Sequence, residues 1–183
     1  MALPAVVIGF GAYSVAAILT GLNISGFDKS ETAGKTLGIY AFMAFIALAF
    51  NSFSFIITAP LGNVPPASTL QLIFALLTFL FSIVWLGFSL CLFFNWDLKY
   101  VGWAAFVLFL HNLIAFIILF AYGSSFSPAA FAILQINNIL YLFVEFGFFL
   151  RTHGRISANL QAYGLLLSGF ANFAVTFYLG GAV

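Results

Sequence analysis

Apolar residues fall in six long blocks, separated by short breaks rich in Gly, Pro, Ser and charge. A helix that crosses a membrane needs about 20 apolar residues, and these blocks predict helices over about 4–23, 36–58, 69–94, 100–122, 129–150 and 158–181. Polar residues inside the blocks are not scattered. In the fifth block Gln135, Asn138, Tyr141 and Glu145 lie three, three and four positions apart, which keeps them on one helical face. The third block carries Gln71, Thr78, Ser82, Trp85 and Ser89, and the sixth carries Gln161, Ser168, Asn172 and Thr176. The pattern predicts an all-α, polytopic six-transmembrane-helix bundle, one domain over residues 1–183, whose three polar stripes meet inside.

Depth sharpens the selection. His111 and Asn112 lie near the middle of the fourth block, Asn137 and Asn138 near the middle of the fifth, and Asn172 near the middle of the sixth. At about 1.5 Å rise per residue these positions share one layer close to the midplane. Ser and Thr in such helices often bond their own backbone carbonyls, whereas amides and carboxylates in hydrocarbon need partners or water. Two readings fit: hydrogen bonds between helices, worth about 0.6–2 kcal/mol each, or a path for a small, polar, uncharged solute. The candidate path residues are Ser82, Trp85, His111, Asn112, Gln135, Asn138, Tyr141, Glu145, Ser168 and Asn172. Glu145 is the one acidic residue inside a predicted span, and its candidate partners are Arg151, nearly two turns away, and hydroxyl or amide groups on neighbouring helices such as Gln161.

Composition and charge then exclude other classes. The chain of 183 residues is 64% apolar and 5% charged, with a mean hydropathy of +1.20. A soluble domain carries about 25% charged residues. A net charge of +1 offers no basic patch for nucleic acid. Cys91 is the single cysteine, so neither an internal disulfide nor a multi-cysteine metal site is expected. One central histidine without a second ligand predicts no haem, metal or other cofactor. No nucleophile–base pair or phosphate-binding loop is visible, so an enzyme is not expected. The first block lacks a basic stretch ahead of it and does not read as a signal peptide. All five basic residues (Lys29, Lys35, Lys99, Arg151 and Arg155) fall at alternate connections. The positive-inside rule therefore puts the first, third and fifth connections in the cytoplasm and both termini outside. Trp96 and Trp103 flank the third connection, as an interfacial aromatic belt would.

The order of features resembles the six-helix urea and amide channels, the proton-gated urea channels and bacterial amide transporters. The first connection, GLNISGFDKSETAGKTLGIY over Gly21–Tyr40, is similar to that family's short acidic turn before the second helix. Asp97, Lys99 and Trp103 in NWDLKYVGW resemble its third connection, and Phe143, Glu145 and Arg151 the end of its fifth helix. The resemblance implies a channel for a small neutral solute in a prokaryotic cytoplasmic membrane. It also implies a homo-oligomer, a hexamer with one pore per protomer. The family's fifth-helix tryptophans are absent, with Gln135 and Asn138 near their places, and Tyr163 stands where its sixth-helix glutamate is expected. These departures imply altered pore chemistry. A second six-helix family, the acetate and succinate–acetate transporters, is similar in the segment PAVVIGFG over Pro4–Gly11. An accessory subunit of a larger membrane complex is the alternative from another class, with the polar stripes serving as protein contacts.

Overall fold

The computed structural model describes residues 4–27, 30, 32–59, 61, 64–65, 67–123 and 127–179. Six helices follow in order: α1 (Pro4–Ile24), α2 (Ala33–Thr58), α3 (Ala67–Phe94), α4 (Lys99–Ala121), α5 (Pro128–Thr152) and α6 (Ala158–Leu179). Each is long and apolar enough to cross a membrane, and no strand occurs among the described residues. The fold is the all-α six-helix bundle that the apolar blocks predict.

Local chemistry fixes the ends. Ser127 caps α5 by accepting from the Ala130 amide at 3.2 Å, with Pro128 in the first turn where its missing N–H costs nothing. The helices α1, α3 and α5 stop in the same way. Gly26, Asn95 and Gly154 take positive φ values of 83°, 55° and 69°. The next amides (Phe27, Trp96 and Arg155) then reach back to Leu22, Cys91 and Leu150. This left-handed stop is open to Gly and, less readily, Asn.

Each helix packs on its neighbour in sequence, and α6 returns to pack on α1. The neighbours run antiparallel. Ser52 near the end of α2 donates to the Ala75 carbonyl near the start of α3 at 2.7 Å. Ser89 near the end of α3 donates to Gly38 near the start of α2 at 2.8 Å. The closing seam depends on glycine. A Cβ at Gly21 would lie 2.9 Å from the Ala162 carbonyl, and one at Gly169 would lie 3.1 Å from the Ser14 carbonyl. Close approach of small residues is how helices pack where burial from water gives no drive.

Alternation places Lys35, Lys99, Arg151 and Arg155 at one end of the bundle. Lys29 lies outside the described residues. Trp96 and Trp103 sit at that same end, both exposed. The outer faces are largely apolar, with Met43, Phe50, Leu72, Ile117, Ile139 and Phe170 all exposed. Such a surface belongs in lipid.

Candidate functional site

The three polar stripes all face inward, as their spacing predicts. Gln135, Asn138, Tyr141 and Glu145 on α5 are buried, as are Gln71, Thr78, Ser82, Trp85 and Ser89 on α3. On α6 Gln161, Ser168 and Asn172 are buried, and Thr176 is half-buried. Their side chains link the helices around the interior. Tyr141 donates its hydroxyl to Asn172 Oδ1 at 2.5 Å, and Asn137 Nδ2 approaches the same oxygen at 3.5 Å. Asn172 in turn donates to the Ser168 carbonyl at 3.0 Å. Ser168 Oγ gives its proton to Leu165 O, so the 3.0 Å bond between Tyr13 and Ser168 has the tyrosine as donor. These contacts join α5 to α6 and α6 to α1.

Four rings fill the middle. Tyr13 from α1, Phe81 and Trp85 from α3, and Tyr141 from α5 meet with centroids 4.8–5.8 Å apart. Edge-to-face arrangement of the Tyr13 pairs matches the quadrupole preference of aromatic rings. A chamber of about 50 Å³ lies on each side of this partition, and Tyr13 and Phe81 line both.

The chamber nearer the basic end is walled by Tyr13, Phe81, Trp85, Phe88 and Phe148, with Glu145 on its wall. Asn112 Nδ2 on α4 donates to Glu145 Oε1 at 3.2 Å, while Glu145 Oε2 has no partner among the described residues. The partner is thus an amide on a neighbouring helix, as expected, but Asn112 rather than Gln161 or Arg151. Gln161 donates instead to the Val144 carbonyl at 3.2 Å, and no contact ties Arg151 to the carboxylate. The helical step settles this, since Arg151 follows Glu145 by six positions and projects from another face.

The second chamber is lined by Thr78, Asn112, Asn137, Asn138 and Tyr141 among apolar side chains, and among the described residues no charged group lines it. Three of its amide atoms are buried without a partner: Asn112 Oδ1, Asn137 Oδ1 and Asn138 Nδ2. Buried amide atoms are costly when unpaired. Two are acceptors and one is a donor.

The remaining candidates are placed differently. His111 lies on the exposed outer face of α4, its Nδ1 bonded to Val107 O at 2.8 Å. It shares the depth of Asn112 but not its side, because adjacent residues on a helix point about 100° apart. Ser82 is buried, but its hydroxyl donates to Phe79 O at 2.6 Å and neither chamber reaches it. Gln135 is not among the residues that line either chamber, and its Nε2 lies 3.5 Å from Phe116 O. Ser168 and Asn172 stand behind the tyrosines and hold them. Tyr163 is exposed, so it replaces no chamber-lining residue. Tyr13 and Asn51 were not predicted. Asn51 is fully buried against Gly9 with both amide atoms unpaired. Among the described residues no three His, Cys, Asp or Glu side chains converge for a metal.

Six apolar helices with polar groups turned inward define an integral membrane protein. No family model, curated protein or solved structure matches the chain.

Proposed function

We propose that this protein is a channel or facilitator for a small neutral polar solute. One observation carries the reading: the amide-lined chamber, with Asn112 Oδ1, Asn137 Oδ1 and Asn138 Nδ2 unpaired and no charged lining group. A solute bearing both N–H or O–H donors and a carbonyl or hydroxyl acceptor meets all three. Volume limits its size, since about 50 Å³ admits a guest of only a few heavy atoms. The resemblance to urea and amide channels supports the same class, and with it a hexamer with one path per protomer. The basic end of the bundle then faces the cytoplasm, and both termini face outward.

Swelling of proteoliposomes in urea, acetamide, glycerol and acetate tests the reading. Urea or acetamide should enter faster than in empty vesicles, and Asn138→Leu should cut that entry several-fold while the protein still folds. Equal swelling with and without protein for every solute would overturn it.

His111 favours a second reading, the accessory subunit. Its Nε2 is an acceptor in the middle of the exposed face of α4, without a partner among the described residues. A polar atom at that depth suits contact with another membrane chain. Persistent co-purification with an unrelated chain, lost in His111→Leu, would favour this role.

A further inference from the structure

The chamber nearer the basic end has a different chemistry from its amide-lined neighbour. Five rings line it in a continuous series: Phe81, Tyr13, Trp85, Phe88 and Phe148. Each meets the next at 5.7–5.9 Å with interplanar angles of 76–87°. The polar groups at this wall are largely spent. Tyr13 donates to Ser168, and Thr20 donates to the Ala16 carbonyl at 2.7 Å. Glu145, which lines the chamber, is the exception: it is 3% exposed, with Oε1 held by Asn112 and Oε2 buried and unpaired among the described residues. Among the described residues no lysine or arginine lines the chamber.

We infer that this chamber is a binding site for a small ammonium cation, either ammonium itself or a short primary alkylammonium. A carboxylate buried without a positive partner is costly, and an entering cation offsets part of that cost. The ring faces carry negative potential, so they attract the same charge that the carboxylate does. One N–H of the guest bonds Oε2, and its remaining surface rests against the rings. The lining suits an ammonium better than a hard metal ion. Mg²⁺ and Ca²⁺ require about six or more oxygen ligands, and the chamber offers one free carboxylate oxygen among aromatic carbon. The volume of about 50 Å³ restricts the guest to one or two heavy atoms beyond a bare ammonium.

This site goes beyond the neutral-solute path, because it uses Glu145 and the rings rather than Asn137 and Asn138. The two can fail separately. Calorimetric titration of the purified full chain in detergent with methylammonium chloride tests the site, with sodium chloride and acetamide as matched controls. One saturable methylammonium should bind per chain, and ammonium should compete for it. Glu145→Gln should weaken binding by about tenfold or more, and Trp85→Leu or Phe148→Leu by a few-fold. Asn138→Leu should leave it unchanged while impairing neutral-solute entry. Should Glu145→Gln fail to fold, the two ring variants carry the test. Absence of saturable binding, sodium binding as tight as methylammonium, or binding indifferent to all three substitutions would overturn the assignment.

Discussion

Tyr13 separates the two chambers with its ring and is held there by its hydroxyl on Ser168. Removing the two parts has different consequences. Tyr13→Phe keeps the partition and loses one hydrogen bond, a cost of about 1 kcal/mol. Tyr13→Ala removes the ring, costs about 3–5 kcal/mol and joins the chambers. It should raise solute entry into proteoliposomes, and a folded Tyr13→Ala protein with wild-type flux would remove the ring as the barrier. Asn172→Ala strands both the Tyr141 hydroxyl and the Asn137 amide, so thermal unfolding in detergent should show a loss of about 1–3 kcal/mol. Ser82→Ala, whose hydroxyl bonds only its own helix, should cost much less. The polar stripes were legible in the sequence because helical spacing fixes a face. Tyr13 was not, since one tyrosine close to Phe10 among Gly9, Gly11, Ala12, Ala16 and Ala17 forms no stripe, although that run of small residues is a signal of close helix packing. Phe81 is one of 26 phenylalanines, indistinguishable by type from those facing outward.

At the level of elements, the tightest seams depend on missing side chains. Gly169→Val would drive new atoms into Ile18 and the Ser14 carbonyl, and Gly21→Val into Leu166 and the Ala162 carbonyl. Either should lower the melting temperature markedly, as overpacking costs about 1–3 kcal/mol or more. Gly34→Ala is the internal control. Nothing lies within 4 Å of its added Cβ, and a helical Gly replaced by Ala should gain about 0.5–1 kcal/mol. Equal effects at Gly34 and Gly169 would refute the seam. All six helices were legible as apolar blocks, with ends displaced by at most three residues. The largest displacement at a start is in α2, which begins at Ala33 rather than at 36. Hydropathy marks where lipid begins, and Gly34 and Lys35 extend the helix beyond that boundary without adding to the apolar block.

For the whole molecule, the segregation of charge predicts an orientation. In a Cys91→Ala background, single cysteines at Val64, Lys99 and Arg155 should label oppositely in intact cells. Val64 lies exposed at the end away from the basic residues and should react with a membrane-impermeant thiol reagent, while Lys99 and Arg155 should not. The reverse pattern would invert the molecule and place Glu145 nearer the outer face. Sequence showed which ends lie together, because five basic residues in alternate connections leave one consistent arrangement. Pairing across the bundle was not legible. Nothing in the order of residues indicates that Asn112, rather than Gln161 or Arg151, meets Glu145.

Closure of α6 onto α1 also sets a timetable for biogenesis. The bond from Tyr13 to Ser168 joins positions 155 apart, so a ribosome must deliver all six helices before the first can find its final neighbour. Until then the interior faces of α1 and α5 lie open to lipid, and Tyr141 and Asn137 have no acceptor on α6. The unfinished protein is thus the form that exposes its polar interior to the bilayer, and arrival of the last helix is the step that shields it. A chaperone or insertase that holds α1 and α5 apart from lipid has its work during that interval and none afterwards.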